Sequence, residues 1–271
     1  MSKPQSTNYE IYYEVYGQGE PLILIPGFAT GLWIWYHQIP AFSKYYKTIV
    51  FDNRGVGRSD NAIYPYSMQM MADDVANLMD TLKIKKANIL GASMGGFIAQ
   101  EFALKYREKI SSLILCCTSF GGKNHVPPSA ETLLAMSSFQ DPNSEERIRK
   151  SLQFAFAKGF EKSKPKEFEK IVSLRLANPI LTQAYLSQLQ AAITFDVENQ
   201  LTTLDLPTLI VTGDKDSIVP PENSYNLAKK IQGSKLTTVE GIGHSVFIES
   251  APTFNQLVID FLNSVTKGRN N

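Results

Sequence analysis

The chain has 271 residues, of which 43% are hydrophobic and 11% aromatic, and its formal net charge is +1. This length can form one large α/β domain, or a domain that carries an insertion. The near balance of charge gives no electrostatic basis for binding nucleic acid or a charged membrane surface. Since no apolar run reaches the roughly 18 residues that a membrane helix needs, we expect no membrane partner either.

The cysteines and the first residues indicate the compartment. Residues 1–9 are polar and lack the apolar segment of a signal peptide. Cys116 and Cys117, the two cysteines, are adjacent within an apolar run, a spacing that suits neither a disulfide framework nor a metal site. We therefore expect a cytoplasmic protein without a metal or another cofactor. The sequence gives no prediction of its oligomeric state.

Strands and helices alternate in the first 120 residues. Aromatic and β-branched residues alternate with polar ones in the first predicted strand, and the later strands are short continuous apolar runs, which is typical of burial on both faces. Ser67 is a predicted helix N-cap. We predict strands at 9–16, 21–25, 46–51, 87–90 and 110–117, and helices at 32–42, 67–82 and 95–105.

The strand pattern is absent between residues 121 and 195, which we call the lid segment. Prolines separate its four predicted helices, at 129–139, 144–160, 164–176 and 180–194. Strands return at 208–212 and 235–239, with helices at 221–231 and 253–264. This order favours a mainly parallel sheet with right-handed crossovers. We predict a core formed by residues 1–120 and 196–271, with an inserted helical lid at 121–195.

A G-x-S-x-G motif, residues 91–95, lies between a predicted strand and a predicted helix. Such a strand–turn–helix presents a serine, here Ser93, at a sharp turn. We expect side chains at Gly91 and Gly95 to clash with neighbouring backbone and the Ser93 backbone to be strained. The dipole of the following helix favours negative charge at the serine oxygen. The alternative is a Gly/Ser turn that merely connects two elements.

Three further motifs accompany this turn. Residues 52–59 read D-N-R-G-V-G-R-S, residues 213–220 read G-D-K-D-S-I-V-P, and residues 241–244 read G-I-G-H. Together with the G-x-S-x-G motif, and in the order Ser, Asp, His, they resemble the α/β-hydrolase superfamily over nearly the whole chain. The resemblance implies an α/β-hydrolase fold in which Arg54 and its turn are structural.

A serine hydroxyl needs a base to become a good nucleophile, and the chain has three histidines. His37 lies in a predicted aromatic helix, so we interpret it as structural. His125 lies in the loop before the lid helices, so we interpret it as a solvated side chain. The resemblance implies that His244 is the general base. It places the acid at Asp216, whereas we expect Asp214 to bond the loop backbone.

The resemblance also implies an oxyanion hole formed by the backbone N–H groups of Phe28 and Met94. Many relatives have His-Gly before the first donor, and this chain has Pro26-Gly27, which changes a side chain and not the Phe28 amide. The substrate pocket should be apolar, although for each aromatic residue taken singly we favour a place in the core. The candidate lining residues are Phe28, Trp33, Trp35, Phe139, Phe154, Phe156 and Val219.

We predict a cofactor-independent serine hydrolase that cleaves a small or medium carboxylic ester or lactone through an acyl-enzyme. Ser93 excludes the dehalogenases and epoxide hydrolases, which have Asp at this position. Ala92 and Ser245 differ from the Asn and Trp that are frequent there in C–C bond hydrolases, and favour the esterase and enol-lactonase branch. Acyl transfer or perhydrolysis, C–C bond hydrolysis and a slow-turnover ligand receptor remain alternatives. The sequence does not identify the acyl or alcohol group.

Overall fold

A computed structural model describes residues 10–60, 65–136 and 141–269. Its central sheet has seven strands in the order β1-β3-β2-β4-β5-β6-β7. Strand β1 is antiparallel to β3, and each of the other neighbouring pairs is parallel, as the sequence predicted. The strands are β1 Tyr13–Tyr16, β2 Pro21–Ile25, β3 Lys47–Phe51, β4 Ala87–Ala92, β5 Ile110–Cys116, β6 Thr208–Gly213 and β7 Lys235–Val239.

Helices pack around this sheet. Three short 3₁₀ turns lie at Leu32–Trp35, Arg107–Lys109 and Leu201–Thr203. The α-helices are α1 Gln38–Phe42, α2 Met68–Thr81, α3 Met94–Lys105, α4 Ala130–Met136, α5 Glu145–Ala155, α6 Phe160–Ser163, α7 Pro165–Ala177, α8 Thr182–Ile193, α9 Glu222–Lys230, α10 Val246–Glu249 and α11 Ala251–Arg269. Among the described residues, no helix has the length and apolarity to cross a membrane.

The two faces of the sheet belong to two hydrophobic clusters. Strand β2 shows why, because successive side chains of a strand point to opposite faces. Ile23 and Ile25 pack into one cluster, and Leu22 and Leu24 pack into the other. All four side chains are fully buried. A continuous apolar run is therefore what a strand covered on both faces requires.

Two predicted helices are interrupted in the structure. The prediction at 32–42 is wrong at its centre, where a 3₁₀ turn ends at Trp35 and α1 begins at Gln38. Pro40 has no N–H to donate to the carbonyl four residues earlier, so one continuous helix cannot form. The prediction at 144–160 is wrong after Ala155, whose carbonyl accepts the Ser245 N–H at 2.8 Å instead of continuing the helix.

Other predicted boundaries differ by a few residues. The Ser67 hydroxyl accepts the Met70 N–H at 3.1 Å, so the predicted N-cap of α2 is confirmed. The helix predicted at 129–139 corresponds to α4, and residues 137–139 lie outside the described residues. Strand β4 extends two residues beyond its prediction, to Ala92, because the backbone stays paired with β5 up to the turn.

Helices α4 to α8 lie between β5 and β6, within the lid segment. An antiparallel bridge joins Gly121 to Asp196, so the two ends of the segment lie side by side. A Cβ at Gly121 would lie 2.0 Å from the Phe195 carbonyl oxygen, which explains the glycine there. Phe168 of α7 and Ala184 of α8 are buried in different clusters, so the segment packs against the core on both sides.

Candidate active site

The turn at Ser93 has the conformation that the G-x-S-x-G motif predicts. Ser93 has φ 55° and ψ −122°, a combination that non-glycine residues adopt at a cost in free energy. A Cβ at Gly91 would lie 2.2 Å from the Gly95 carbonyl oxygen, and one at Gly95 would lie 2.2 Å from the Ile25 carbonyl oxygen. Both distances are impossible contacts, so the expected clashes are confirmed.

Two hydrogen bonds to β5 and the residues after it fix this strained backbone. The Ser93 N–H donates to the Cys116 carbonyl at 2.8 Å, and the Thr118 hydroxyl donates to the Ser93 carbonyl at 2.8 Å. A Cβ at Gly96 would lie 2.5 Å from the Thr118 Oγ1, so the helix starts in close contact with this threonine. Strain persists where surrounding contacts over-determine it, and Thr118 supplies one such contact.

His244 and Asp216 form a buried pair beyond the ends of β7 and β6. His244 Nδ1 lies 2.8 Å from Asp216 Oδ2, and the Asp216 side chain is fully buried. The other carboxylate oxygen accepts the N–H groups of Ile218 at 2.9 Å and Val219 at 2.8 Å. Because a carboxylate only accepts, Nδ1 is the donor, and in the neutral ring Nε2 is then free to take a proton.

Opposing effects act on the pKa of His244. Burial by itself lowers it, because desolvation disfavours the imidazolium. The charge of Asp216 and its hydrogen bond overcome burial and raise the pKa above its usual value. The pair therefore makes His244 a stronger base than an isolated imidazole, as proton abstraction from a hydroxyl requires.

Ser93 and His244 line one cavity, and so does Gly27, which precedes the predicted oxyanion donor. A Cβ at Gly27 would lie 3.3 Å from Ser93 Cβ and 3.9 Å from its Oγ, so this loop passes directly beside the serine. The described contacts contain no hydrogen bond between the Ser93 hydroxyl and the His244 ring. Such bonds are often long without a ligand and shorten in the reacting complex.

The other acidic and histidine candidates lie apart from this cavity. Asp214 accepts the Gly241 N–H at 2.6 Å, so it bonds the loop backbone as expected. His37 Nε2 lies 2.7 Å from Glu167 Oε1 at the protein surface. His125 Nδ1 lies 2.5 Å from a loop carbonyl oxygen. None of these three side chains is among the residues that line the cavity.

One predicted oxyanion donor is adjacent to the serine in sequence, and the other lies in the loop that passes beside it. Met94 follows Ser93 as the first residue of α3, and Phe28 follows Gly27. Within the described part of the chain, neither backbone N–H donates to a protein acceptor. The first N–H groups of a helix have no partner inside that helix, so the Met94 amide has no acceptor within α3.

Contacts from two parts of the chain, α8 and the turn at 52–59, support the loop that carries Phe28. The Ala29 N–H donates to Gln188 Oε1 of α8 at 2.9 Å, and Ala29 has a positive φ of 53°. The Asn53 amide donates to the Pro26 carbonyl at 3.1 Å. Asp52 accepts the Leu32 N–H at 2.7 Å. The turn at 52–59 therefore supports this loop, which agrees with the structural role that the resemblance implied.

The cavity has a volume of about 210 Å³ and is mostly apolar. Of the candidate lining residues, Phe28, Trp33 and Phe156 do line it. Trp35 does not, because it is fully buried and its ring packs 4.9 Å from that of Phe247. Phe139 lies outside the described residues.

Phe154 and Val219 also do not line the cavity in the described structure. Helix α5 turns one face to the cavity, with Ile148, Leu152 and Ala155 at helical spacing, and Phe154 lies off that face. Val219 donates its N–H to Asp216, and the neighbouring Ile218 lines the cavity instead.

Polar residues of the lid segment contact the site and were not found from the sequence. Arg147, Arg175 and Tyr185 line the cavity, and Gln188 supports its loop. Polar residues on short amphipathic helices usually face solvent, so their sequence pattern did not distinguish them. The three-residue spacing of Tyr185 and Gln188 on α8 was the one available signal, since it places both on one face.

A possible metal site coincides with the buried pair. Ligand atoms of Cys117, Asp216 and His244 lie within 4.8 Å of one another. Burial raises the pKa of the Cys117 thiol well above its usual value, so the thiol stays protonated and is a poor metal ligand. His244 Nδ1 is already bonded to Asp216. These three residues therefore do not fit a resident metal ion.

Comparisons with known proteins agree with this architecture. The enol-lactonase from Burkholderia xenovorans LB400 superposes with a TM-score of 0.83 at 26% identity, covering 95% of this chain and 98% of that one. A thermophilic esterase from Thermogutta terrifontis gives 0.83 at 28% identity, covering 96% of each chain. A putative carbamate hydrolase from Azorhizobium caulinodans is 26% identical over 256 residues, 94% of this chain and 96% of that protein.

The model of the alpha/beta hydrolase fold family matches residues 20–251. The match runs from β2 to the start of α11, so it includes the Ser93 turn, the lid segment and the loops of Asp216 and His244. The relatives named above are hydrolases of different bond types. On this evidence the chain belongs to the α/β-hydrolase family.

Proposed function

We propose that the protein is a serine hydrolase that cleaves a small or medium carboxylic ester or lactone. One observation carries the proposal: the strained Ser93 and the buried His244–Asp216 pair meet at one small apolar cavity. Serine, imidazole and carboxylate in these positions are the groups that acyl transfer to a hydroxyl nucleophile requires.

Each residue has a role in the proposed reaction. His244 Nε2 takes the proton of the Ser93 hydroxyl while Ser93 Oγ attacks the carbonyl carbon. The N–H groups of Phe28 and Met94 stabilise the resulting oxyanion, and the leaving oxygen takes the proton from His244. A water molecule deprotonated by His244 then cleaves the acyl-enzyme. Asp216 holds the ring tautomer and stabilises the imidazolium in both steps.

We further propose that the segment at 121–195 acts as the lid and selects the substrate. Helices α5, α7 and α8 supply one wall of the cavity, and the core supplies Ser93 and His244. Exclusion of water by this wall strengthens the electrostatic interactions inside the site. Substitution of the wall residue Leu152 should therefore change the ratio of kcat/KM between acyl chain lengths.

Carboxylic esters and lactones are the favoured substrates because Ala92 and Ser245 occupy the positions where C–C bond hydrolases frequently have Asn and Trp. Acyl transfer uses the same residues with another acceptor, so the product distinguishes it: free acid indicates hydrolysis, and a new ester or a peracid indicates transfer.

A pre-steady-state assay with nitrophenyl esters of increasing acyl length tests the proposal. We expect a burst of nitrophenol close to one equivalent of enzyme, followed by many turnovers that release free acid. Ser93→Ala should reduce kcat by about five to six orders of magnitude. A single turnover without a steady state would instead indicate a ligand receptor. Full activity of Ser93→Ala would contradict the proposal.

A further inference from the structure

Arg175 of α7 is a partly buried cation without an anionic partner in the protein. It lines the cavity, and its guanidinium Nη1 donates to the Asn178 carbonyl at 3.1 Å. Every Asp and Glu of the chain lies within the described residues, and none of them forms an ion pair with Arg175. A charge partly removed from water gains from a nearby counter-ion, so a guanidinium in this position favours an anion from elsewhere.

The charge persists at neutral pH despite its surroundings. Burial lowers the pKa of Arg175 to about 10, and the nearby charge of Arg147 acts in the same direction. At neutral pH the Arg175 guanidinium is therefore cationic. Two cations that face one apolar cavity repel each other, and an anion bound near them relieves the repulsion.

The arginines belong to helices of the lid segment and line the same cavity as the serine. Arg147 Nη2 donates to the Tyr185 hydroxyl at 2.7 Å, and the Tyr185 ring packs edge-on against Phe28 with centroids 4.6 Å apart. Phe28 itself lies in the loop that passes beside Ser93. A ligand that fills the cavity can thus touch both Ser93 and Arg175.

We propose that the substrate is an ester or lactone that carries a second, free carboxylate, and that Arg175 binds this carboxylate. The proposal rests on the proposed function and specifies its substrate class. Arg175 is a binding residue here, because it touches the substrate away from the reacting carbonyl. The guanidinium fork suits two parallel hydrogen bonds to a carboxylate, and the cavity volume of about 210 Å³ restricts the linker to a few carbons.

A matched pair of esters tests the charge of the substrate. Monomethyl glutarate carries the carboxylate, and in methyl hexanoate an ethyl group replaces it. The wild-type enzyme should have a higher kcat/KM for monomethyl glutarate. Arg175→Gln should reduce this value by about 10- to 100-fold and change that for methyl hexanoate less than about threefold, since only one substrate loses a charge-assisted hydrogen bond.

Arg149→Gln is the matched control, because Arg149 lies on the outer surface of α5, bonded to Glu145 and Glu169. This variant should leave both kcat/KM values unchanged. An equal loss for both esters in Arg175→Gln would mean that Arg175 is structural and would overturn the proposal. A wild-type preference for methyl hexanoate would overturn it as well.

A binding measurement separates this proposal from the role of Ser93. Monomethyl glutarate is titrated into Ser93→Ala and into the double variant Ser93→Ala/Arg175→Gln by calorimetry. We expect binding to the first and at least about tenfold weaker binding to the second. Equal binding to both contradicts the carboxylate site. If Ser93→Ala still cleaves the ester, the proposed mechanism fails while the binding comparison still decides the role of Arg175.

Discussion

At the scale of single residues, two acids in one loop have different surroundings. Asp216 is fully buried and bonded to His244, whereas Asp214 lies at the surface beside Lys215, whose ammonium lowers the pKa of Asp214. The sequence could separate them only through the resemblance, because both follow the same strand. In the structure, the burial and the direction of each carboxylate separate them.

This difference predicts opposite effects of two substitutions. Asp216→Asn should reduce kcat by about four orders of magnitude with little change in Tm, because an amide stabilises the wrong tautomer of His244. Asp214→Ala should leave kcat within about tenfold and lower Tm, because the Gly241 N–H loses its acceptor. Measurement of kcat and Tm on both variants tests this, and the reverse pattern would assign the acid to Asp214.

The raised pKa of His244 predicts the pH dependence. Only the neutral ring accepts a proton, so kcat/KM should rise with pH, with a midpoint above the ordinary histidine value of about 6.5. In Asp216→Asn the burial remains and the charge is absent, so the pKa of His244 should fall below that value. NMR titration of the imidazole protons, assigned with His244→Gln, measures both. A midpoint that does not move would contradict the electrostatic coupling.

The same shift has a consequence for folding. A histidine whose pKa is raised in the folded state contributes to the free energy of unfolding. This contribution is complete at pH values below the pKa that the histidine has in the unfolded chain. This contribution is lost as pH rises through the higher, folded-state pKa. The catalytically useful neutral ring therefore forms in the pH range where the pair contributes less to stability.

At the scale of elements, α8 connects the lid segment to the predicted oxyanion loop. Tyr185 and Gln188 lie three residues apart on one face of the helix, and both contact the loop at 28–29. Gln188 is fully buried and also donates to the Arg54 carbonyl at 3.4 Å. One helix thus fixes both the wall of the cavity and the position of the Phe28 amide.

Gln188→Leu removes the acceptor of the Ala29 N–H while conserving most of the side-chain volume. We expect kcat to fall by about tenfold or more, with a smaller change in KM, because a displaced donor loses transition-state stabilisation first. Gln190→Leu, two residues further along α8 and exposed, should behave as wild type. Equal kinetics of the two variants would contradict the positioning role of Gln188.

Elements were predictable to different degrees. The bounds of the buried strand β2 were predicted to the residue, because turn residues border its apolar run on both sides. The end of helix α5 after Ala155 was not predicted, since it depends on a hydrogen bond to Ser245, 90 positions away in the chain. Local patterns record propensity, and tertiary hydrogen bonds of this kind override it.

At the scale of the whole molecule, the site lies where parallel strands end. The loops after β2, β4, β6 and β7 supply Phe28, Ser93, Asp216 and His244, and motif order along the chain was enough to predict this. The lid contacts of Arg175 and Gln188 could not be predicted, because the packing of α7 and α8 on the core decides which polar residues face inward.

A buried ion pair links the turn at 52–59 to α2. Arg54 donates to both oxygens of Asp74, at 2.7 and 2.6 Å, away from the cavity. Arg54→Met leaves a buried carboxylate and should reduce the free energy of unfolding by about 3 to 5 kcal/mol. Lys105→Met, which removes an exposed pair with Asp73, should change it by less than about 1 kcal/mol.

Urea denaturation of both variants measures this difference. If kcat of folded Arg54→Met stays near the wild-type value, the ion pair acts on stability alone, as expected for two residues that do not line the cavity. Equal destabilisation by the two substitutions would contradict the structural role of Arg54.

The central claim is that Ser93 is the covalent nucleophile of a serine hydrolase, and mapping of a covalent adduct tests it most directly. The protein is treated with an organophosphonate probe, digested, and the modified peptide is sequenced by mass spectrometry. We predict one adduct per chain, on Ser93, with loss of ester hydrolysis in proportion to labelling and no adduct in Ser93→Ala. Labelling of a different residue, or full hydrolysis by the Ser93-labelled protein, would contradict the account.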